Sequence, residues 1–144
     1  MKLCIKLIVS GVLAAFVLGG FLKKVEQITG ETVYVLLLNV DYFPIIKDWE
    51  MNEILDFSLH VFVSIGLVII LYWVFNRLGV SRNIYPYVIA NLMIGFTLFF
   101  TTAFSNRTPD ILDVAAFTYW IVGHLIYGVI VGCFIVYIDV KRDR

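Results

Sequence analysis

Charge is the ingredient this sequence has least of. Only 15% of its 144 residues are Asp, Glu, Lys or Arg, where a water-soluble domain carries roughly a quarter. With 61% hydrophobic residues besides, the chain cannot coat its own surface with polar groups, which excludes an ordinary soluble globule. Net charge is zero, and no polybasic run is present, so no nucleic acid is expected as a partner. Cysteine is confined to Cys4 and Cys133. Without a C-x-x-C pair, thiol–disulfide exchange and thiolate metal sites have no basis, and both read as small apolar residues. Also missing are H-E-x-x-H, paired membrane aspartates and a serine–lysine arrangement, so neither an enzyme nor a cofactor is expected.

What is there is four long stretches free of Asp, Glu, Lys and Arg: Leu7–Leu22, Phe57–Phe75, Tyr85–Phe104 and Val114–Ile138. Each is near the length that crosses a hydrocarbon core of roughly 30 Å at about 1.5 Å per residue. The first gains length if Lys6 snorkels to the interface. Backbone groups inside a bilayer must be satisfied within the segment, which makes these helices. The first run follows Lys2 and Lys6 as a secretory signal does. It leads straight into Lys23-Lys24 with no small-residue cleavage pattern, so it reads as a retained helix. The sequence therefore predicts an all-α integral membrane protein, a four-transmembrane-helix bundle in one domain. Its spans fall at about 3–22, 55–75, 84–104 and 114–138. Between the first two, Thr32–Pro44 is too apolar for a free loop and too short to span. It reads as an interfacial or re-entrant segment, with Tyr34, Tyr42, Phe43 and Trp49 at headgroup level.

Helix ends carry their own signals. Thr108-Pro109-Asp110 has an N-cap, a proline at the first helical position and an acid in the first turn. It predicts a last helix from Pro109 to Ile138, about 45 Å long. Asn52 and Asn83 suit the starts of the second and third spans, and Gly30 and Gly79 the ends of the first and second. Zero net charge conceals an asymmetry. One side carries the basic residues Lys2, Lys6, Arg77, Arg82, Lys141, Arg142 and Arg144; the other carries Lys23, Lys24, Lys47 and Arg107. The richer side faces the cytoplasm under the positive-inside rule, which puts both termini there.

Polar residues within the spans are few. His60 lies one turn past Asp56, and His124 sits deeper in the last span. With Asp110 and Asp113 they form a candidate polar cavity for a cation or a proton relay. The competing reading makes the acids first-turn carboxylates favoured by the helix dipole and the histidines hydrogen bonders between helices. Counted from Phe57 and Val114, the two rings would differ in depth by about 10 Å. They become level only if the last helix is slid outward. Gly123, Gly128 and Gly132 flatten one face of that helix, with Gly11, Gly19 and Gly20 of the first as a mate. The lipid bilayer is the expected partner; a second copy or another membrane protein stays open.

His60 near the start of one span, Thr108-Pro109 in the next outer loop, and Gly123-His124-Leu125 with Tyr127 in the last span recur in order. This pattern resembles the YagU-like family of uncharacterised bacterial inner-membrane proteins, over roughly Leu55 to Ile138. The resemblance implies a bacterial cytoplasmic membrane and brings no established reaction. The function expected is that of an accessory or structural membrane component. The alternative is transport, or a proton or cation relay through the outer-leaflet His/Asp cluster.

Overall fold

The computed structural model describes residues 2–39 and 52–142. Over these the chain is helical: α1 (Lys2–Thr29), a short α2 (Val33–Leu38), α3 (Glu53–Arg77), α4 (Tyr85–Phe99) continued by a 3-10 turn (Phe100–Phe104), and α5 (Val114–Arg142). Four of these segments are long and apolar enough to cross a membrane, the third being α4 together with its 3-10 turn. The fold is the expected all-α four-helix membrane bundle.

α1 packs against α3 on one side and α5 on the other, while α5 also carries α4. Small residues explain why α1 can stand between two neighbours. Ser10, Gly11, Ala14, Ala15 and Gly19 are all buried, on faces where larger side chains would hold the neighbours away. A Cβ on Gly11 would come within 2.7 Å of the Ile65 Cα on α3. α5 achieves the same towards α4: a Cβ on Gly128 would lie 3.0 Å from the Val88 Cα, and one on Gly132 would lie 2.9 Å from Ile84 Cγ2. The mate of Gly128 and Gly132 is therefore α4, not the glycines of α1. Of the three, Gly123 alone meets α1, 2.9 Å from Leu18 Cδ1, while Gly20 meets nothing within 4 Å.

α1 does not stop at Leu22. It continues to Thr29 and ends at Gly30, whose φ of 81° an L side chain rarely adopts. α2 falls within the segment expected at the interface and buries Val33 and Leu36; residues 40–44 of that segment lie outside the described part. Asn52 caps α3, its side chain accepting from the Leu55 N–H at 2.9 Å. Asn83 accepts from the Tyr85 N–H at 3.1 Å as α4 begins. The start of the last helix is a correction. α5 begins at Val114, not Pro109, because the Thr108 hydroxyl donates back to the Thr102 and Ser105 carbonyls instead of capping. Asp113 takes over, accepting from the Ala116 N–H at 2.9 Å. The α2 end of the bundle holds the starts of α3 and α5. The opposite, terminal end holds the start of α1, the end of α5 and the 78–84 connection. α3 and α5 therefore run in the same direction.

Backbone-level contact at Gly128 leaves no room for a side chain. Gly128→Leu is expected to destabilise the protein by about 1–3 kcal/mol, seen as a lower melting temperature in detergent. Gly20→Ala and Gly66→Ala, with nothing within 4 Å of the added carbon, are expected to melt at or slightly above wild type. Wild-type melting of Gly128→Leu would contradict the α4–α5 packing.

Candidate functional site

Inside a bilayer a polar side chain finds no water, so what it bonds to shows what it is for. Three polar layers follow one another along the bundle.

The middle layer is built on Ser64 of α3. Its hydroxyl donates to the Gly11 carbonyl of α1 at 2.8 Å. With that proton committed, the Tyr127 hydroxyl of α5 is the donor in their 2.7 Å contact. His60 lies one turn before Ser64, and His124 three residues before Tyr127. Because α3 and α5 run in parallel, the two imidazoles fall at one level. His60 stands within electrostatic reach of His124 and beside the backbone of Ala15. The expected 10 Å offset more than halves for a simple reason. Measured from the true helix starts, Glu53 and Val114, the rings differ by three residues, about 4.5 Å. His124 Nδ1 is 3.0 Å from the Trp120 carbonyl, which makes that nitrogen the donor. The Trp120 indole donates in turn to the Gly95 carbonyl at 2.8 Å, and the His124 ring covers Gly95, where a Cβ would come within 2.5 Å. His60 Nε2 and Asn91 Oδ1 are buried without a hydrogen-bond partner.

The α2-end layer is ionic. Lys23 pairs with Glu53, and the Tyr34 hydroxyl donates to the same carboxylate at 3.1 Å. Glu26 accepts from the backbone N–H groups of Tyr34 and Val35, at 2.8 and 3.1 Å, and so anchors the start of α2. Burial, with the Glu53 hydrogen bond and nearby carboxylates, pushes the Tyr34 phenol up to about 12. A half-open cleft of about 430 Å³ lies here, lined by Lys23, Glu26, Tyr34, Glu53, Asp56 and Arg107 among others. Asp56 is thus in the cleft wall, one turn before His60.

The structure separates Asp110 and Asp113 from the histidines. Asp110 accepts from the Leu112 N–H at 2.8 Å. Asp113 caps α5 about 16 Å of helix before His124, near Glu31, whose carboxyl is raised above its usual range by desolvation and by Asp113. Of the five residues, Asp56 lines the cleft, and His60 and His124 lie within electrostatic reach of each other deeper in the bundle. Among the described residues no group of three or more His, Cys, Asp or Glu could hold a metal ion.

The terminal-end layer escaped the sequence reading. Asp139, the first charged residue after the last apolar run, is 2% exposed. It accepts from the Tyr72 hydroxyl at 3.1 Å and the Ser81 hydroxyl at 2.6 Å, while Tyr87 donates to the Ser81 carbonyl at 3.2 Å. One carboxylate thus ties α3, the 78–84 connection and α5. An acid among basic residues was the available signal; its inward direction was not readable. Between this layer and Ser64–Tyr127 lie Leu7, Val68, Leu71, Val131 and Ile135, all buried in one apolar cluster.

Removing the carboxylate strands two buried hydroxyls. Asp139→Ala is expected to cost about 1–3 kcal/mol, with Asp139→Asn milder because an amide oxygen still accepts; thermal unfolding in detergent measures both. Equal melting of Asp139→Ala and wild type would contradict the tie.

No family model, no curated protein and no solved structure matches this chain.

Proposed function

We propose that the protein is a structural or accessory component of the bacterial cytoplasmic membrane, with both termini in the cytoplasm. It would act by presenting a fixed helical surface to lipid and to other membrane proteins, and it is not an enzyme. One observation carries this reading. The middle and terminal-end polar layers each join two or three helices, and a buried apolar layer, Leu7, Val68, Leu71, Val131 and Ile135, lies between them. A transport or relay path would need polar groups at that level. The bacterial location rests on the resemblance to the YagU-like family, and the orientation on the sequence's seven basic residues before the first span, after the last and between the second and third, against four in the other two connections. A proton or cation relay is the second reading. It is favoured by His60, whose Nε2 is buried without a hydrogen-bond partner beside His124.

Liposomes carrying the purified protein separate the two, and reporter fusions test the orientation. Proton flux is expected to equal that of empty liposomes, and His124→Ala to leave it unchanged. Fusions after Arg144 and within 106–108 are expected to report cytoplasm and exterior respectively. Proton flux lost in His124→Ala would overturn the accessory reading in favour of the relay.

A further inference from the structure

At the terminal end the first and last turns of the chain meet on one exposed face. Tyr137 of α5 is 57% exposed. Lys141, one turn later, holds its ammonium 4.7 Å from the centre of the Tyr137 ring. Lys6, from α1, is within electrostatic reach of the same phenol. Both lysines are exposed, and the ion pair Lys23–Glu53 lies at the opposite end of the bundle. Two acids lie two residues from Lys141 in sequence: Asp143 is outside the described residues, and Asp139 is buried and turned inward onto Tyr72 and Ser81. Two cations from different helices therefore flank one aromatic ring with no carboxylate of the described residues set against them.

The surroundings say where a ligand's remainder would lie. Val9, three residues inward of Lys6 on α1, and Phe134, three residues inward of Tyr137 on α5, are 48% and 37% exposed. They continue this face towards the bundle centre as a strip suited to acyl chains. A phosphate group between the ammonium groups, with hydrocarbon below it, is the shape of an anionic phospholipid. The tail Lys141–Arg144 alone is too short to attract such lipid strongly. Folding adds Lys6 from the other end of the chain, which no linear reading of basic runs counts. A free phosphate satisfies the lysines and leaves the apolar strip unused.

We propose that Lys6, Tyr137 and Lys141 form a binding site for the headgroup of an anionic phospholipid at the terminal-end membrane surface. Each lysine beside a membrane surface contributes about 1 kcal/mol of attraction to anionic lipid, so losing both weakens binding on the order of thirtyfold. The test titrates the full chain, in neutral detergent, with phosphatidylglycerol, phosphatidylcholine or inorganic phosphate, and reads bound lipid by native mass spectrometry. Phosphatidylglycerol is expected to bind more tightly than phosphatidylcholine, with inorganic phosphate a weak competitor. Lys6→Gln with Lys141→Gln is expected to lower phosphatidylglycerol affinity about thirtyfold and leave phosphatidylcholine unchanged. Arg77→Gln, which removes a cation lying over Trp73 on α3, is expected to leave most of the affinity intact. Equal binding of the two lipids, full displacement by inorganic phosphate, or an equal loss in Arg77→Gln would each overturn the site. If the double variant melts below wild type without lipid, Lys6→Gln alone serves, with about a fivefold loss expected and no loss contradicting the proposal.

Discussion

The Ser64 hydroxyl holds three helices at once, and the rest of the bundle is arranged around what that requires. A hydroxyl has one proton to give. Here it goes to the Gly11 carbonyl of α1, and the Tyr127 phenol of α5 fills the acceptor side. In water such an arrangement would compete with solvent; in hydrocarbon its alternative is an unsatisfied polar group. The bond sets the register of α3 against α5, and the register brings His60 and His124 to one level. It also puts Val68 and Val131 one turn further on, where they help to close the bundle.

Helix association in lipid gains little from excluding water, so close packing has to supply much of it. The small residues serve that need. Those of α1 let α3 and α5 approach from two sides, and Gly128 and Gly132 let α4 lie against α5 nearly backbone to backbone. α3 and α4, the outer pair, spend large side chains such as Phe62, Trp73 and Ile89 on lipid instead. The division of labour among the helices is thus a matter of which ones are rich in glycine, alanine and serine.

How much of this was legible beforehand varies from element to element. Runs without charge reveal the four spans because a bilayer tolerates little else, and Asn52, Gly30 and Gly79 mark ends by local geometry that depends on few neighbours. Thr108-Pro109 misled because its hydroxyl found carbonyls of the preceding 3-10 turn, a tertiary partner that no capping rule contains. The pairing of His60 with His124 was readable as a condition on helix stagger. The two residues come near each other with helix starts at Glu53 and Val114, without a last helix slid outward. The glycine face of α5 was visible and its mate was not, since α1 and α4 both offer space. Asp139 shows where linear reading stops: whether a carboxylate at a helix end turns outward or inward depends on hydroxyls contributed by α3 and by the 78–84 connection.

Interior polar groups fasten these helices together. A double-mutant cycle on Ser64→Ala and Tyr127→Phe, followed by reversible unfolding in mixed detergent micelles, tests it most directly. If the two hydroxyls act as one fastening between α3 and α5, the cycle returns a coupling of about 0.6–1.7 kcal/mol. Additivity of the two substitutions to within about 0.3 kcal/mol would contradict it.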